Sequence, residues 1–249
     1  MLLILCALRV KVTCHASLSV TSVVEIRSIV KSKYVFLLPN LAWGPLLSGL
    51  LPLFPLDVVL LPGTPLPLHI FEPRYKEMVS ECLEGNEVFG IVRAKEGGIA
   101  EIGCTAEIIT VTKKYDDGRM DIVTQGRDRF EVMQIDHERS FVRAEVLYLQ
   151  DDAATPSQAE KDQAWKLHGE IMTLAGAQPE DPAQIESQQL SFHLAGSLPL
   201  DLDFKQTLLA MKSEPERLQA IISFFEAILP SMRRSVHVRR KAGGNGHGD

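Results

Sequence analysis

From Leu51 to Gln150 apolar residues either alternate with polar ones or cluster in short runs between turn signals. That pattern predicts strands, because successive side chains of a strand point to opposite faces. One helix interrupts them: Tyr75, Met78, Val79 and Cys82 recur at helical spacing, Pro73 suits the first turn, and Gly85-Asn86 supplies the stop. Further strands are expected over Glu87–Arg93, Cys104–Tyr115, Arg119–Gln125, Arg129–Ile135 and Phe141–Leu149. The last of these places Val142, Ala144, Val146 and Tyr148 on one face. Between the second and third, Asp116-Asp117-Gly118 predicts a tight hairpin, since the Asp-Gly pair supplies the positive backbone angles such a turn needs. Short, mostly antiparallel strands in such number predict a small closed or nearly closed barrel over residues 49–150.

After Asp151 the period changes from two to about 3.6, which predicts helices. Ser157 and Glu160 form a capping box that opens a helix carrying Ala164, Leu167, Ile171 and Leu174 and stopping at Gly176. Pro182 is expected to open a second helix carrying Ile185 and Phe192, and Leu202–Met211 is a third. Ser213 and Glu216 open a fourth, whose stripe of Leu218, Ile221, Ile222, Phe225 and Leu229 ends before Pro230. Residues 151–232 therefore read as a helical subdomain, and the fold class is α+β. Residues 233–249, with Arg233, Arg234, Arg239, Arg240, Lys241 and a glycine-rich end, read as a basic tail too poor in apolar residues to fold.

Residues 1–48 show no clear turn punctuation joining them to the strands and read as a flexible extension or a stretch translated from a misplaced start. Met1–Leu8 is apolar but has no basic stretch before it, which is the wrong order for a secretory signal. The uncharged run from Tyr34 to Leu56 is long enough to cross a bilayer. Pro39, Pro45, Pro52 and Pro55 each remove a helix hydrogen bond that hydrocarbon cannot replace, so the run is read as non-spanning.

Charge sharpens this picture. Residues 57–232 hold thirty acids against sixteen bases, between two ends that are each net positive. An acidic body argues against broad binding of nucleic acid or anionic membrane, both of which need a positive face. The chain's 249 residues, 45% hydrophobic and 23% charged, provide a sizeable core. Cys6, Cys14, Cys82 and Cys104 lack metal-site spacing and read as buried or free thiols in a reducing cytoplasm, with no metal or other cofactor expected.

Catalytic motifs are missing from the sequence. No glycine is followed by lysine, so no phosphate-binding G-x-x-x-x-G-K-[ST] loop exists; G-x-S-x-G, H-E-x-x-H and G-x-G-x-x-G are also lacking. His168 and His193 adjoin apolar helical faces and read as structural or surface residues. The segment with the most information is Leu51–Met78, a proline-punctuated apolar run with a compact polar set, His69, Glu72, Arg74 and Tyr75, where an extended chain turns into a helix. Two readings stand: a structural corner locked by a Glu72–Arg74 ion pair, and a groove whose apolar side chains receive an extended or unfolded peptide. Phe54, His69, Phe71, Glu72, Arg74 and Tyr75 are the candidate residues under either.

The run LPLFPLDVVLLPGTPLPLHIFEPRY, Leu51–Tyr75, resembles the opening signature of the Lon protease amino-terminal domain family, also called the Lon substrate-binding domain. Later landmarks occur in the same order: EIGCTAEI from Glu101, Asp117-Gly118, QGRDRF from Gln125, Leu198-Pro199-Leu200, Lys205-Gln206 with Leu208-Leu209, and Glu216-Arg217-Leu218. The resemblance runs from about Leu51 to Leu229. It implies a PUA-like, mostly antiparallel β-barrel followed by a C-terminal four-helix bundle, and a role in capturing substrate proteins and assembling subunits. In the full-length protease, ATP hydrolysis and Ser-Lys peptide cleavage belong to later domains without counterpart in this sequence. The reading is therefore of a stand-alone, ATP-independent, non-catalytic module that binds unfolded or hydrophobic polypeptide as an adaptor to a protease or chaperone, with self-association left open. A second reading is an RNA-binding PUA-like protein, supported by the basic tail and opposed by the acidic body.

Overall fold

A computed structural model describes residues 50–178 and 189–244. The expected extension over 1–48, the start of a helix at Pro182 with Ile185, and the last residues of the tail lie outside these. From Gly49 onward the chain forms one compact unit. Its elements are β1 (Leu51–Leu56), β2 (Pro65–Ile70), α1 (Pro73–Gly85), β3 (Phe89–Lys95), β4 (Gly98–Ile99), β5 (Ile102–Lys114), β6 (Met120–Asp136), β7 (Arg143–Tyr148), α2 (Gln158–Ala175), α3 (Leu190–Gly196), α4 (Leu202–Ala210) and α5 (Glu214–Gly244). This is an α+β fold of a mostly antiparallel sheet and five helices.

The strands run in the order β1-β7-β6-β5-β3-β4, and β1 also pairs with β3, in parallel, from Leu53↔Gly90 to Leu56↔Arg93. The pairings β1–β7–β6–β5–β3–β1 therefore return to their starting strand. β2 lies outside this circuit and pairs only with the first half of β6, from Pro65↔Gln125 to Ile70↔Met120.

Two expected strands, Arg119–Gln125 and Arg129–Ile135, are in fact halves of the single strand β6. The chain continues through Gly126 because the turn before β2 packs directly on it: Gly126 N–H donates to the Thr64 carbonyl and Gly63 N–H donates to the Gly126 carbonyl, both at 2.9 Å. A side chain there would meet that turn, so only glycine keeps the strand unbroken. The hairpin from β5 to β6 forms where expected, but with one positive backbone angle rather than two. Gly118 has φ +81°, Tyr115 N–H donates to Arg119 O, and Gly118 N–H donates to Tyr115 O, a three-residue loop with glycine in the left-handed position.

α1 follows the sequence pattern closely. Pro73 stands in its first turn, Tyr75, Met78, Val79 and Cys82 are buried, and Asn86 closes it in the left-handed conformation at φ 51°. The Ser157–Glu160 capping box forms at the start of α2, and Gly176 ends the helix with φ +81°. The stripe Leu218, Ile221, Ile222, Phe225 and Leu229 on α5 is buried. One main core draws from both halves of the chain, from Phe54, Ile70 and Phe89 to Phe192, Ile221 and Phe225.

α5 does not stop before Pro230 but runs through it to Gly244, so the residues after 232 that were expected not to fold have helical backbone this far. Proline removes one helical hydrogen bond. The turn beyond it is held from outside: Arg233 clasps Glu170 of α2 through two hydrogen bonds, of 2.6 and 2.8 Å, and Met232 packs against the core.

A buried ionic cluster joins sheet to helices. Arg217 on α5, fully buried, donates to Asp151 Oδ2 at 2.5 Å and to Glu214 Oε2 at 2.7 Å. Arg129 on β6 donates to Asp151 as well and reaches the carbonyls of Leu209 and Met211. Glu214 accepts from the backbone and hydroxyl of Ser191 on α3, and the Phe192 ring lies 4.3 Å from the Arg217 guanidinium. Burial pulls the Arg217 pKa down, but Asp151 and Glu214 more than offset it and the net shift is upward. Arg129 shifts down, chiefly through burial. These residues sit within two of the family landmarks, QGRDRF and Glu216-Arg217-Leu218, whose role here is to hold the fold.

Candidate functional site

The signature Leu51–Met78 divides into a buried part and an exposed part. Phe54 on β1 and Tyr75 on α1 are core residues, stacked with ring centroids 4.0 Å apart, and Phe54 also meets Phe89 at 6.2 Å. Burial raises the Tyr75 phenol pKa above its ordinary value. Glu72 and Arg74 form the expected corner ion pair, Arg74 Nε donating to Glu72 Oε2 at 2.9 Å, and the guanidinium covers the Tyr75 ring at 4.5 Å. Phe54 and Tyr75 thus pack in the core, while Glu72 and Arg74 pair at the turn into α1.

His69 and Phe71 face outward. His69 Nδ1 donates to Asp121 Oδ1 at 2.5 Å, and Tyr115 Oη donates to Asp121 Oδ2 at 2.8 Å. These two hydrogen bonds, His69 first, hold the Asp121 carboxyl below the usual aspartate range. Phe71 is 59% exposed, its ring 6.0 Å from that of His69, and Tyr115 meets His69 edge-on at 5.9 Å. Lys113 and Arg119 lie 4.4 and 4.9 Å from the Tyr115 ring. Register explains the assembly: β2 sets His69 opposite Asp121 on β6, while the β5–β6 hairpin carries Tyr115 beside both. The result is an aromatic strip, exposed at Phe71 and His69 and half-buried at Tyr115, with two cations beside the Tyr115 ring. Sequence reasoning found His69 and Phe71 but not Tyr115, Asp121, Lys113 or Arg119, because no local spacing links residues so far apart in the chain.

A family profile described as ATP-dependent protease La (LON) substrate-binding domain matches residues 50–227. The chain belongs to this family. A Lon N-terminal domain protein from Xanthomonas campestris has a similar structure, with 27% identity and a TM-score of 0.57, covering 70% of this chain and 98% of that one. The N-terminal domain of a Mycobacterium avium complex Lon protease shares the fold at 18% identity and TM-score 0.54, covering 72% of this chain and 98% of that one. In sequence, the Lon protease of Buchnera aphidicola is 24% identical over 211 residues, 77% of this chain and 26% of that protein. The Lon protease of Amoebophilus asiaticus is 25% identical over 183 residues, 67% of this chain and 22% of that protein. The chain thus spans about a quarter of the length of these curated relatives.

Cys82 and Cys104 are buried, and burial pushes their thiols up to about 11 and about 12, so both are protonated near neutrality. His168 Nε2 and Ser197 Oγ lie 2.7 Å apart, but the Ser197 hydroxyl donates to the Leu194 carbonyl. His168 is buried beside Trp165 and Phe225, in keeping with a structural role. Among the described residues no group of histidines, cysteines and carboxylates could hold a metal ion, and no helix is long and apolar enough to cross a membrane. An open cleft of about 600 Å³ beside Asp57, Arg93, Lys95 and Asp203 is an ionic joint, Arg93 donating to Asp203 at 2.5 Å.

Proposed function

We propose that this Lon substrate-binding domain is a non-catalytic, ATP-independent recognition module that binds unfolded or hydrophobic polypeptide, delivering it as an adaptor to a protease or chaperone. The observation that carries the reading is the exposed pair Phe71 and His69 at the end of the family signature, with half-buried Tyr115 beside them. Large aromatic side chains left in solvent on an ordered scaffold provide apolar area at low conformational cost, which suits capture of varied chains. The circuit of pairings among β1, β7, β6, β5 and β3 supports a PUA-like barrel, and the four helices after Asp151 support the accompanying bundle.

The test is a titration with a reduced, permanently unfolded polypeptide and, separately, a single-stranded RNA, each at low and moderate salt. Apolar burial predicts polypeptide binding that changes by less than about threefold with salt. It also predicts a loss of roughly fivefold to tenfold on Phe71→Ser, a side chain that is 59% exposed. RNA held by the five bases after Met232 would weaken by about two orders of magnitude over the same range of salt. Absence of saturable polypeptide binding, with tight RNA binding lost on deleting residues 233–249, would establish the RNA-binding reading instead.

A further inference from the structure

We propose that the outer edge of β5, Glu107–Lys114, is a strand-addition site for an extended segment of a polypeptide client whose acidic end meets Lys113 and Lys114. This rests on the polypeptide-binding reading above and names the place and mode of capture. β5 is paired on both sides only at its start. Cys104–Ala106 faces β3, whereas from Glu107 to Lys114 the ladder is with β6 alone. Among the described residues no backbone hydrogen bond engages the other side of that stretch. Such a row of donors and acceptors is satisfied in full only by another extended backbone, or else by water.

The residues suit the task. Ile108-Ile109-Thr110-Val111-Thr112 is a β-branched run free of proline and glycine, and Ile109 is 50% exposed. β2 has an outer edge too, but its Pro65 and Pro67 withhold donors at alternate positions and so blunt it. At the hairpin end Lys113 and Lys114 are exposed, and Lys76 of α1 reaches the Asp117 carbonyl at 2.9 Å. Asp116 and Asp117 share this hairpin, but Asp117 is paired with Arg119, so Lys113 and Lys114 beside the edge favour a client with an acidic residue there. Tyr115, the near end of the aromatic strip, follows directly where β5 ends, whereas His69 stands on the other side of β6, so a segment on the edge meets the strip at Tyr115.

Geometry also favours a flexible client over a second copy of the chain. Register shifts between Ile108/Thr110 and Val111/Lys113 leave Ile109 and Thr112 as extra residues opposite β6. Bulges of this kind increase twist and spoil the flat match that edge-to-edge pairing of two rigid sheets requires, whereas an unfolded segment adopts the twist it meets.

The probe is a short fluorescent peptide of alternating valine and threonine with an aspartate at one end, titrated against the full chain. Two further peptides carry N-methyl groups on one or the other alternate set of amides, which removes donors from one edge of the added strand at a time. One methylated peptide is expected to lose at least about tenfold in affinity while the other stays within about twofold of the parent. Ile109→Lys should weaken the parent about fivefold with little change in melting temperature, since the side chain lies half in solvent and a charge opposes pairing at an edge. Equal binding of all three peptides, or an unchanged affinity in Ile109→Lys, would overturn the edge assignment while leaving polypeptide binding in place. No saturable binding of the parent peptide or of unfolded polypeptide would overturn both. A concentration-dependent dimer that Ile109→Lys dissociates and the peptide fails to compete would assign the edge to a second copy.

Discussion

Arg217→Leu is expected to lower stability by about 3–5 kcal/mol, the cost of removing one partner from a buried ionic cluster. The loss would not come from apolar packing, which leucine largely retains against Phe192. It would come from Glu214 and Asp151. Glu214, itself buried, keeps only its Ser191 hydrogen bonds, and Asp151 keeps Arg129 alone. For a unit of this size the change corresponds to a fall of roughly 10 °C in melting temperature. The double variant Arg217→Met with Glu214→Met should recover part of the loss, because replacing both partners removes an uncompensated charge as well as an attraction. Thermal melts of the three proteins check this, and an unchanged midpoint in Arg217→Leu would show that the cluster does not bind sheet to helices.

Gly126→Ala carries the second large effect, about 3 kcal/mol of destabilisation. A Cβ on residue 126 would lie 2.2 Å from the Leu61 carbonyl oxygen and 3.2 Å from Leu60 Cγ. The neighbour is backbone rather than the end of a flexible side chain, and it cannot retreat without breaking the two 2.9 Å hydrogen bonds between Gly126 and Gly63 or Thr64. Gly98→Ala is the matched control, since a Cβ there meets nothing within 4 Å. Denaturant titrations should place the control near wild type and Gly126→Ala far below it. Equal midpoints would mean that the turn before β2 does not rest on β6 in solution.

Features set by neighbours in sequence were legible. The Ser157–Glu160 capping box and the Asn86 and Gly176 stops depend on contacts within a few residues, and the stripe of α5 is marked by its helical spacing. Features set by distant partners were not. Nothing in the run from Arg119 to Ile135 announces one strand, because continuity at Gly126 depends on a turn more than sixty residues earlier. Pro230 reads as a stop, yet α5 continues where Arg233 finds Glu170 across the gap to α2. The Arg129–Asp151–Arg217 cluster joins residues 22 and 66 positions apart, beyond any local period.

The signature shows the same division. Its composition marked the segment, but which of its aromatics serve the core depended on burial that sequence spacing does not encode. β1 is covered on both sides by β3 and β7, which takes Phe54 and its partner Tyr75 inside. β2 has only β6 for a neighbour, which leaves His69 at its end exposed, with Phe71 just beyond.

Hydrogen–deuterium exchange of the full chain, with and without a saturating unfolded polypeptide, reads client capture at the residue level, because client backbone paired to β5 must protect amides that face water without it. Client capture at the edge and at Phe71 gives slowed exchange over Glu107–Lys114 and around Phe71, with α5 beyond Ser231 unchanged. Protection confined to α5 beyond Ser231, or no protection at saturation, would contradict it.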